Sequence, residues 1–597
     1  HSKSGGKMKS KDNAAGFGIL AILILLVLLP LAAVLFQVVC PGLQIEKFDP
    51  SNLKLVLDVF VRPLWKKAFF NSFFLSIGTT VIGLLLAAFL AHVRVRYSFF
   101  GARFLDIVSW ILMIVPSFIL AQGWVYFASG NGIASAWLGI EGVGGFVFSY
   151  WGLVCVMVLC KYPLAYVTIK TAMEWYPSRL VHAARMNGAS PFRAWLTVQL
   201  PLCIPAYCSA AMLIFMDTVG DYGMSSTITA VYSFPTLPYT IYSAICSSPV
   251  RFDMAGVLSF YLMIMIMIAM IIQYAAMGKR KFDFLDNGTE QVTPQRIGRI
   301  KSTALSAVTF CFCLAALGIP VGSNLIMSFS SSVSIQRFRF TLDNYAKVFQ
   351  TGSQLLTGVK HSLSLAGVAA AIGIIIGFCV AYVLTYSLFK LKKVIDMMTL
   401  IAMAVPGVVL GIGYIFVWNQ KWLTPLGLHL YGKPSILVLA SVAAAIPLIN
   451  RVLVGGMAKV PKSLLIAAQV QGAGFGRRMR TVLLPLLHGS VVSAVLAAFG
   501  GSVFNLAITT ILYPPNYSTL PVYISDSYND LKFGYAAAAT IVGAAFIIGI
   551  MLILEYLMNL SRSGTNRPAC AARSPRRNRA AETGCGDRFA GDSQTRP

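Results

Sequence analysis

The chain is 597 residues long; 57% of its residues are hydrophobic and only 12% are charged. This composition, with a mean hydropathy of +0.73, is typical of a polytopic membrane protein and excludes a string of soluble domains. The formal net charge is +27, but Lys and Arg lie in short segments between apolar runs and in two tails. That distribution orients membrane spans and argues against a nucleic-acid partner.

Twelve apolar runs, each long enough to cross a bilayer, follow one another along the chain. They lie at residues 17–40, 68–92, 104–128, 147–169, 203–227, 253–277, 302–328, 359–386, 395–418, 435–455, 487–510 and 535–558. We therefore predict an all-α polytopic membrane protein with about 12 transmembrane helices, six in each half. The predicted domains are an N-terminal tail (1–16), a first half (17–285), a second half (286–561) and a disordered basic tail (562–597).

Positive charge is uneven between the runs. Lys and Arg are concentrated before the first run, between the second and third, between the two halves, and after the eighth. The positive-inside rule places these segments in the cytoplasm, together with both termini. The loops at 129–146, 229–250, 419–433 and 511–533 carry few positive charges and are expected on the outside.

The two halves repeat each other. The segment 71–93 aligns with 361–383, and a Thr-Leu-Pro motif recurs at 236–238 and 519–521. The pattern predicts two tandem copies of one six-helix unit, related by a two-fold axis along the membrane normal. Such a pair closes around a central pathway without a second copy of the chain.

A further repeat lies between the fourth and fifth runs of each half, at Pro177–Pro201 and Pro461–Pro485, and we call these two segments the glycine loops. Corresponding residues are 284 positions apart. Each loop opens with a Pro, which suits a first helical position, and runs to Gly188 or Gly472, the residue type that closes a helix in the left-handed conformation. We predict a short helix, a glycine turn and another helix, lying against the membrane surface.

The spacing within the glycine loops resembles the EAA loop in permease subunits of ATP-binding-cassette importers of type I. The loops match that pattern at Ala183, Ala184, Gly188, Val198, Leu200 and Pro201, and again at Ala467, Ala468, Gly472, Val482, Leu484 and Pro485. The leading Glu of the family is replaced by His182 and Ile466. The resemblance implies that each loop docks into a cleft of a separate cytoplasmic ATPase and transmits its motion. The alternative is a pair of amphipathic surface helices with no partner.

Motifs for catalysis are missing from the sequence. It contains no G-x-x-x-x-G-K-[ST] phosphate loop, no paired carboxylates suited to acid–base chemistry, and no metal-ligand spacing of His and Cys. We therefore expect a transport subunit that binds no cofactor itself, with ATP and Mg²⁺ bound by a partner ATPase. No metal ligands are assigned.

Two carboxylates, Asp217 and Asp221, fall inside the fifth run, where burying charge is costly. If the helix is continuous, their i, i+4 spacing puts both on one face, with Tyr222 beside them. The second half has Gly501 and Asn505 at the corresponding positions. One interpretation is a substrate pathway that attracts a hard cation, because such cations prefer oxygen ligands. The other is that the two acids cap a break in the helix.

Proline and glycine interrupt the third and ninth runs. Pro116 and Pro406 are expected to kink these helices, and Gly407 and Gly411 to allow close packing. A gate and a rigid packing kink are both compatible with this pattern. The Tyr- and Pro-rich outer segments 231–245 and 512–528 predict either paired lips that receive a soluble donor or solvated connectors.

The fused halves, the two glycine loops and the segment AVPGVVLGIGYI resemble the fused permeases of ferric-iron importers over about residues 17–560. The resemblance implies location in the bacterial inner membrane, an extracytoplasmic binding protein that delivers cargo, and a homodimer of ATPase subunits. Ferric iron is the first expectation for cargo, and 2-aminoethylphosphonate, thiamine or another small solute are alternatives. An ion-coupled secondary transporter is the rival from another class, but it gives no reason for two matched glycine loops.

Overall fold

The computed structural model describes residues 2–40, 53–174, 178–229, 231–277, 294–332, 334–350 and 353–565. These residues are almost entirely helical, which confirms the predicted all-α fold. Within these ranges the named strands are β1 (Tyr97–Ser98) and β2 (Gln295–Arg296), which pair in parallel and join the two halves. From residue 566 onwards, the tail predicted to be disordered lies outside the described residues.

Fifteen helices lie in the described part of the first half. They are α1 (Ser2–Leu23), α2 (Leu29–Val39), α3 (Leu53–Val61), α4 (Pro63–Arg96), α5 (Ala102–Ile114), α6 (Ser117–Ala128), α7 (Ile133–Ala136), α8 (Val143–Val147), α9 (Tyr150–Glu174), α10 (Ser178–Met186), α11 (Pro191–Ala194), α12 (Leu200–Val219), α13 (Tyr222–Thr229), α14 (Leu237–Cys246) and α15 (Phe252–Met277). The segment predicted as an N-terminal tail is therefore helical from Ser2 and continues into the first span.

The residues described in the second half form thirteen helices. They are α16 (Arg299–Cys313), α17 (Ile319–Ser328), α18 (Asp343–Phe349), α19 (Gln354–Tyr386), α20 (Lys392–Ala404), α21 (Gly407–Trp418), α22 (Pro434–Met457), α23 (Lys462–Val470), α24 (Phe475–Arg478), α25 (Leu484–Val503), α26 (Leu506–Leu512), α27 (Leu520–Asn529) and α28 (Phe533–Thr565). Short 3₁₀ turns lie at Ile335–Arg337 and Lys421–Leu423.

Ten helices of the described chain are long and apolar enough to cross a membrane, or up to 12 if each of two bent pairs is one span. The bent pairs are α5 with α6 and α20 with α21, at 106° and 110°. The predicted kinks at Pro116 and Pro406 are thus complete breaks. The residue before each proline is driven out of the helical region, so Val115 and Val405 have ψ of 124° and two successive extended residues redirect the chain.

Four other prolines are accommodated without a break. In each case a five-residue π-helical turn ends two positions before the proline, at Ile24–Leu28, Trp195–Gln199, Leu314–Gly318 and Met479–Leu483. A proline inside a helix lacks the N–H donor and its ring collides with the carbonyl four residues back. Widening the turn before it removes this conflict, so these helices continue through Pro30, Pro201, Pro320 and Pro485.

The first span of each half packs against the broken helix of the other half. A Cβ on Gly413 of α21 would collide with the carbonyl of Pro30, and a Cβ on Gly123 of α6 with the carbonyl of Pro320. The Tyr414 hydroxyl also donates to the Leu26 carbonyl at 2.8 Å. These reciprocal contacts mean that the halves exchange their first spans, and residues of both halves lie together in a common buried apolar cluster.

The described parts of the glycine loops, the segment of α1 around Phe17, the end of α28 and the paired strands β1 and β2 lie at one end of the molecule, which we call the loop end. The ring of Phe17 packs edge to face against that of Phe389, which follows α19. The Tyr386 hydroxyl at the end of α19 donates to the Val460 carbonyl, just before the second glycine loop. His488 contacts the Met558 carbonyl at 2.9 Å, which brings the end of α28 to the same face.

Candidate functional site

Both glycine loops have the same backbone geometry. Gly188 has φ of +84° and Gly472 of +81°, the left-handed conformation predicted for them. The N–H of the next residue reaches back five positions to the carbonyl of Ala184 in the first loop and of Ala468 in the second, at 3.1 and 3.0 Å. This is the Schellman pattern, which satisfies the last carbonyls of a helix. The second Ala of each EAA-like motif therefore supplies the acceptor that closes the turn.

The prediction of a separate second helix after each glycine is wrong. Phe192–Val219 and Phe475–Val503 are single continuous helices, so the basic segment runs straight into the span. Pro201 and Pro485, which follow the π turns, do not end it. Each glycine loop is therefore joined to its span by one continuous helix.

The four helix breaks of the two halves converge on the interface between them. A Cβ on Gly220, at the end of α12, would lie 3.0 Å from Cγ of Pro406 in the other half. The short helices α13 and α26, which follow the breaks in the fifth and eleventh runs, contact each other. Gly407 and Gly411 of α21 pack against α26, where a Cβ would meet Ala507 and Ile511 at 3.1 Å. The predicted close packing at these glycines is confirmed.

Asp217 and Asp221 are not on one face of a continuous helix. Helix α12 ends at Val219, and Asp221 lies in the break as the cap of α13: its Oδ1 accepts the Met224 N–H at 2.8 Å. The same oxygen accepts the Ser117 hydroxyl at 2.8 Å, from the first residue of α6. For Asp221 the structure supports the capping interpretation.

A residue that the sequence reasoning missed lies between the two acids. Lys161, the twelfth residue of the 25 in α9, places its Nζ 2.5 Å from a carboxylate oxygen of Asp217 and 2.5 Å from one of Asp221. The Lys161 and Asp221 side chains are 10% and 4% exposed, whereas Asp217 is 48% exposed. The two acids therefore do not form a vacant cation site. We call these three residues the central triad.

Comparison of the two halves of the sequence could have identified Lys161. Its counterpart 284 residues later is Ala445, just as Gly501 and Asn505 replace the two acids. All three charges of the triad are missing together from the second half. Asn505 keeps only the capping role: its side chain accepts the Ile508 N–H at 3.0 Å at the start of α26.

Of the predicted pathway residues, Asp217 alone is exposed. Tyr222 is 3% exposed and packs its ring against Tyr242, with centroids 5.2 Å apart. Asn505 is half-buried in its cap. Gly501, the counterpart of Asp217, is also exposed and has open space where a Cβ would point. Asp217 and its counterpart Gly501 are thus both exposed at the surface.

The Tyr- and Pro-rich outer segments fold back into the protein as α14 and α27. Their Thr-Leu-Pro motifs begin these helices, and Leu237 and Leu520 are fully buried. The Leu237 N–H donates to the Ser72 hydroxyl at 2.7 Å, and the Leu520 N–H to Ser362 at 2.8 Å. The two repeats noticed separately in the sequence therefore contact each other, and the segments are not solvated connectors.

The glycine loops, the paired breaks and the duplicated architecture are matched by one protein family. The family described as "Binding-protein-dependent transport system inner membrane component" matches residues 79–280 and again 369–566. The chain belongs to this family. It is a fused member that contains two copies of the family's domain. Membership in this family makes the chain a multi-pass permease of the inner membrane.

Relatives fall into two groups by how much of the chain they cover. The ferric transport system permease protein FbpB of Actinobacillus pleuropneumoniae is 23% identical over 93% of this chain and 80% of its own length. A putative ferric transport system permease of Haemophilus influenzae is 23% identical over 81% of this chain and 76% of its own length. The molybdenum transport system permease ModB of Escherichia coli is 28% identical, over 31% of this chain and 82% of its own length. The ferric permeases share the fused arrangement, and the molybdenum permease corresponds to one half.

Proposed function

We propose that this permease is the membrane subunit of an ATP-driven importer, with the glycine loops as its docking points for a homodimer of ATPase subunits. An extracytoplasmic binding protein delivers cargo at the end opposite the loops, and the chain passes it inwards by alternating access. ATP and Mg²⁺ are bound by the partner. The permease contributes the pathway and the moving helices.

One observation carries this proposal: both glycine loops expose the same apolar positions outside the spans. Leu180 and its counterpart Leu464 are 49% and 45% exposed, and Met186 and Val470 are 88% and 83% exposed. Exposed apolar side chains that recur at equivalent sites mark a surface for a protein partner. Because the two loops are related by the repeat, the partner that fits them is itself two-fold, as a homodimer is.

The orientation follows from charge. The loop end carries Arg94 and Arg96 at the end of α4, Lys390 between α19 and α20, Lys392 and Lys393 at the start of α20, and Arg296 in β2. The positive-inside rule makes this end cytoplasmic, with both termini. Cytoplasmic glycine loops are accessible to an ATPase, and α14 and α27 then face the binding protein.

Ferric iron is the cargo we propose. Two relatives that match 93% and 81% of the chain are named as ferric permeases, whereas the molybdenum permease matches 31% of it. Asp217 offers a half-exposed carboxylate, and hard cations prefer such oxygen ligands. Lys161 already pairs with it, so the carboxylate guides a cation past the centre and does not hold one there.

The docking role is tested by replacing Gly188 and Gly472 with Arg in the full chain. Both have positive φ and open space beside them, so the side chain strains the turn and adds charge on the docking face without a core collision. We expect inserted permease that no longer co-purifies with the ATPase, and loss of uptake. Gly432, at φ +78° in open space between α21 and α22, is the matched control for the backbone strain. Full uptake by the Gly188 and Gly472 variants would remove the docking role.

Cargo is tested separately from docking. The permease is reconstituted with its ATPase and binding protein, and ATP hydrolysis is measured with the binding protein empty or loaded with ferric iron, molybdate, 2-aminoethylphosphonate or thiamine. We expect stimulation by the ferric form. Stimulation by another form alone would reject iron and leave the importer role intact.

A further inference from the structure

A second cluster of charged side chains lies at the loop end of the broken spans. Asp106 is in the second turn of α5, and Asp396, 290 residues later, is at the equivalent place in α20. Helix α5 ends just before Pro116, and α20 just before Pro406, the residue that packs on Gly220 between the halves. Each carboxylate thus lies near the loop end of a helix whose other end reaches the centre.

Both carboxylates bind the helix that leads into a glycine loop. Asp106 accepts Lys170 of α9 at 2.7 Å and the Tyr166 hydroxyl at 2.8 Å, and Arg94 of α4 at 2.8 Å. Asp396 is 3.1 Å from Nη2 of Arg451 in α22. The glycine-loop helices α10 and α23 begin within five residues of the ends of α9 and α22.

The two halves make this link with different residues. The counterpart of Lys170 is Val454, and the counterpart of Arg451 is Val167. The basic partner has therefore moved along the helix by about a turn between the halves, while the carboxylate and the ion pair have been kept. An interaction that survives a change of partner points to a role for the pairing itself, beyond one side chain's packing.

We propose that Asp106 and Asp396 are positioning residues that tie each glycine loop to the broken span of its own half. A push on a loop moves the end of α9 or α22, and the ion pair carries the movement to α5 or α20 and so to the breaks at the centre. This inference rests on the proposed importer function, because it needs an ATPase to push. Asp106 is held by charge-assisted hydrogen bonds, which are directional enough to hold two helices in register, and Asp396 is held by its ion pair with Arg451.

The Asp396–Arg451 pair of the second half gives the sharper test. It has only two members, so their charges can be exchanged, whereas Asp106 has three partners. In the reconstituted complex with ATPase and binding protein, we compare Asp396→Arg, Arg451→Asp and the double exchange, measuring ferric iron taken up per ATP hydrolysed. We expect each single variant to lower this ratio about tenfold, a usual size for coupling between sites. The double exchange is expected to recover at least half of it. Asp530 and Lys532, paired at the same 3.1 Å near the opposite end, are the matched control, whose reversal leaves the ratio unchanged.

The possible outcomes distinguish a failure of this inference from a failure of the proposed importer function. Single variants with an unchanged ratio of iron uptake to ATP hydrolysis would overturn the inference. A double exchange whose ratio is no higher than that of the single variants would also overturn it. A fall in uptake and hydrolysis in equal proportion, with less inserted protein, would show a structural role only and also overturn it. If the ATPase does not bind the unaltered permease, the importer function itself is rejected before any variant is compared.

Discussion

At the centre of the molecule the first half has three charged side chains where the second half has none. Lys161, Asp217 and Asp221 correspond to Ala445, Gly501 and Asn505. At the glycine turns of the two loops and at the starts of α14 and α27, by contrast, the halves agree closely in backbone and hydrogen bonding. The repeat is therefore kept where we propose that the permease meets its partners, and the charged residues have diverged where its helix breaks meet.

This difference indicates that the three charges of the triad depend on one another. A single buried charge in a membrane span is costly, and a pair costs far less than either member alone. Loss of one member is unfavourable, so the three are present together or replaced together. Through Asp221 the triad also holds Ser117 of α6 and the start of α13, so together with α9 and α12 it joins four elements of the first half. The second half keeps only the Asn505 cap, with Gly407 at the position of Ser117.

The largest effect is expected from Lys161→Ala. It leaves Asp221, at 4% side-chain exposure, beside Asp217 without a counterion. Breaking a buried ion pair in this way costs about 3–5 kcal/mol. We expect less inserted protein and a markedly lower unfolding temperature in detergent, measured on the purified permease.

The matched variant is the triple change Lys161→Ala, Asp217→Gly and Asp221→Asn, which copies the second half. It removes all charge and keeps an Asn cap, so most stability should return, apart from about 1 kcal/mol for a glycine within α12. A triple variant as unstable as Lys161→Ala would refute the idea of a unit. Uptake by the stable triple variant then reports whether the charges matter for cargo.

A smaller effect is expected from Ser117→Ala, which makes the first half resemble the second at α6. It removes a 2.8 Å hydrogen bond to the Asp221 carboxylate. Hydrogen bonds to charged groups contribute about 1.5–3 kcal/mol, so thermal unfolding should shift by less than in Lys161→Ala. When Ser117→Ala is added to the triple variant, the cost should fall to about 1 kcal/mol, because Asp221→Asn has made the acceptor neutral. Equal costs in both backgrounds would show that Ser117 acts independently of the triad.

Much of this arrangement could be predicted from the sequence, and the failures have a common cause. Spacing alone predicted the left-handed turns at Gly188 and Gly472, because a helix end is a local feature. The break at Pro116 was underestimated as a kink, since its size depends on packing between the halves.

Lys161 was overlooked because its run is otherwise apolar, and its partners are on another helix. Which side chains meet across helices is not encoded in the periodicity of either one. The comparison of Lys161 with Ala445 was the available signal.

The smallest effect, and the one that sharpens the comparison most, concerns a site where the halves are alike. Ser72 and Ser362 each accept one N–H at the start of α14 or α27, at 2.7 and 2.8 Å, and both hydroxyls are buried. Replacing either with Ala leaves one buried N–H unpaired, at a cost of about 1–3 kcal/mol. Because the geometry is the same, Ser72→Ala and Ser362→Ala should lower the unfolding temperature equally, and Thr at either position should restore it. If the two variants differ strongly in unfolding temperature, α14 and α27 are not equivalent, and the divergence of the halves extends from the triad to the face where we propose that cargo arrives.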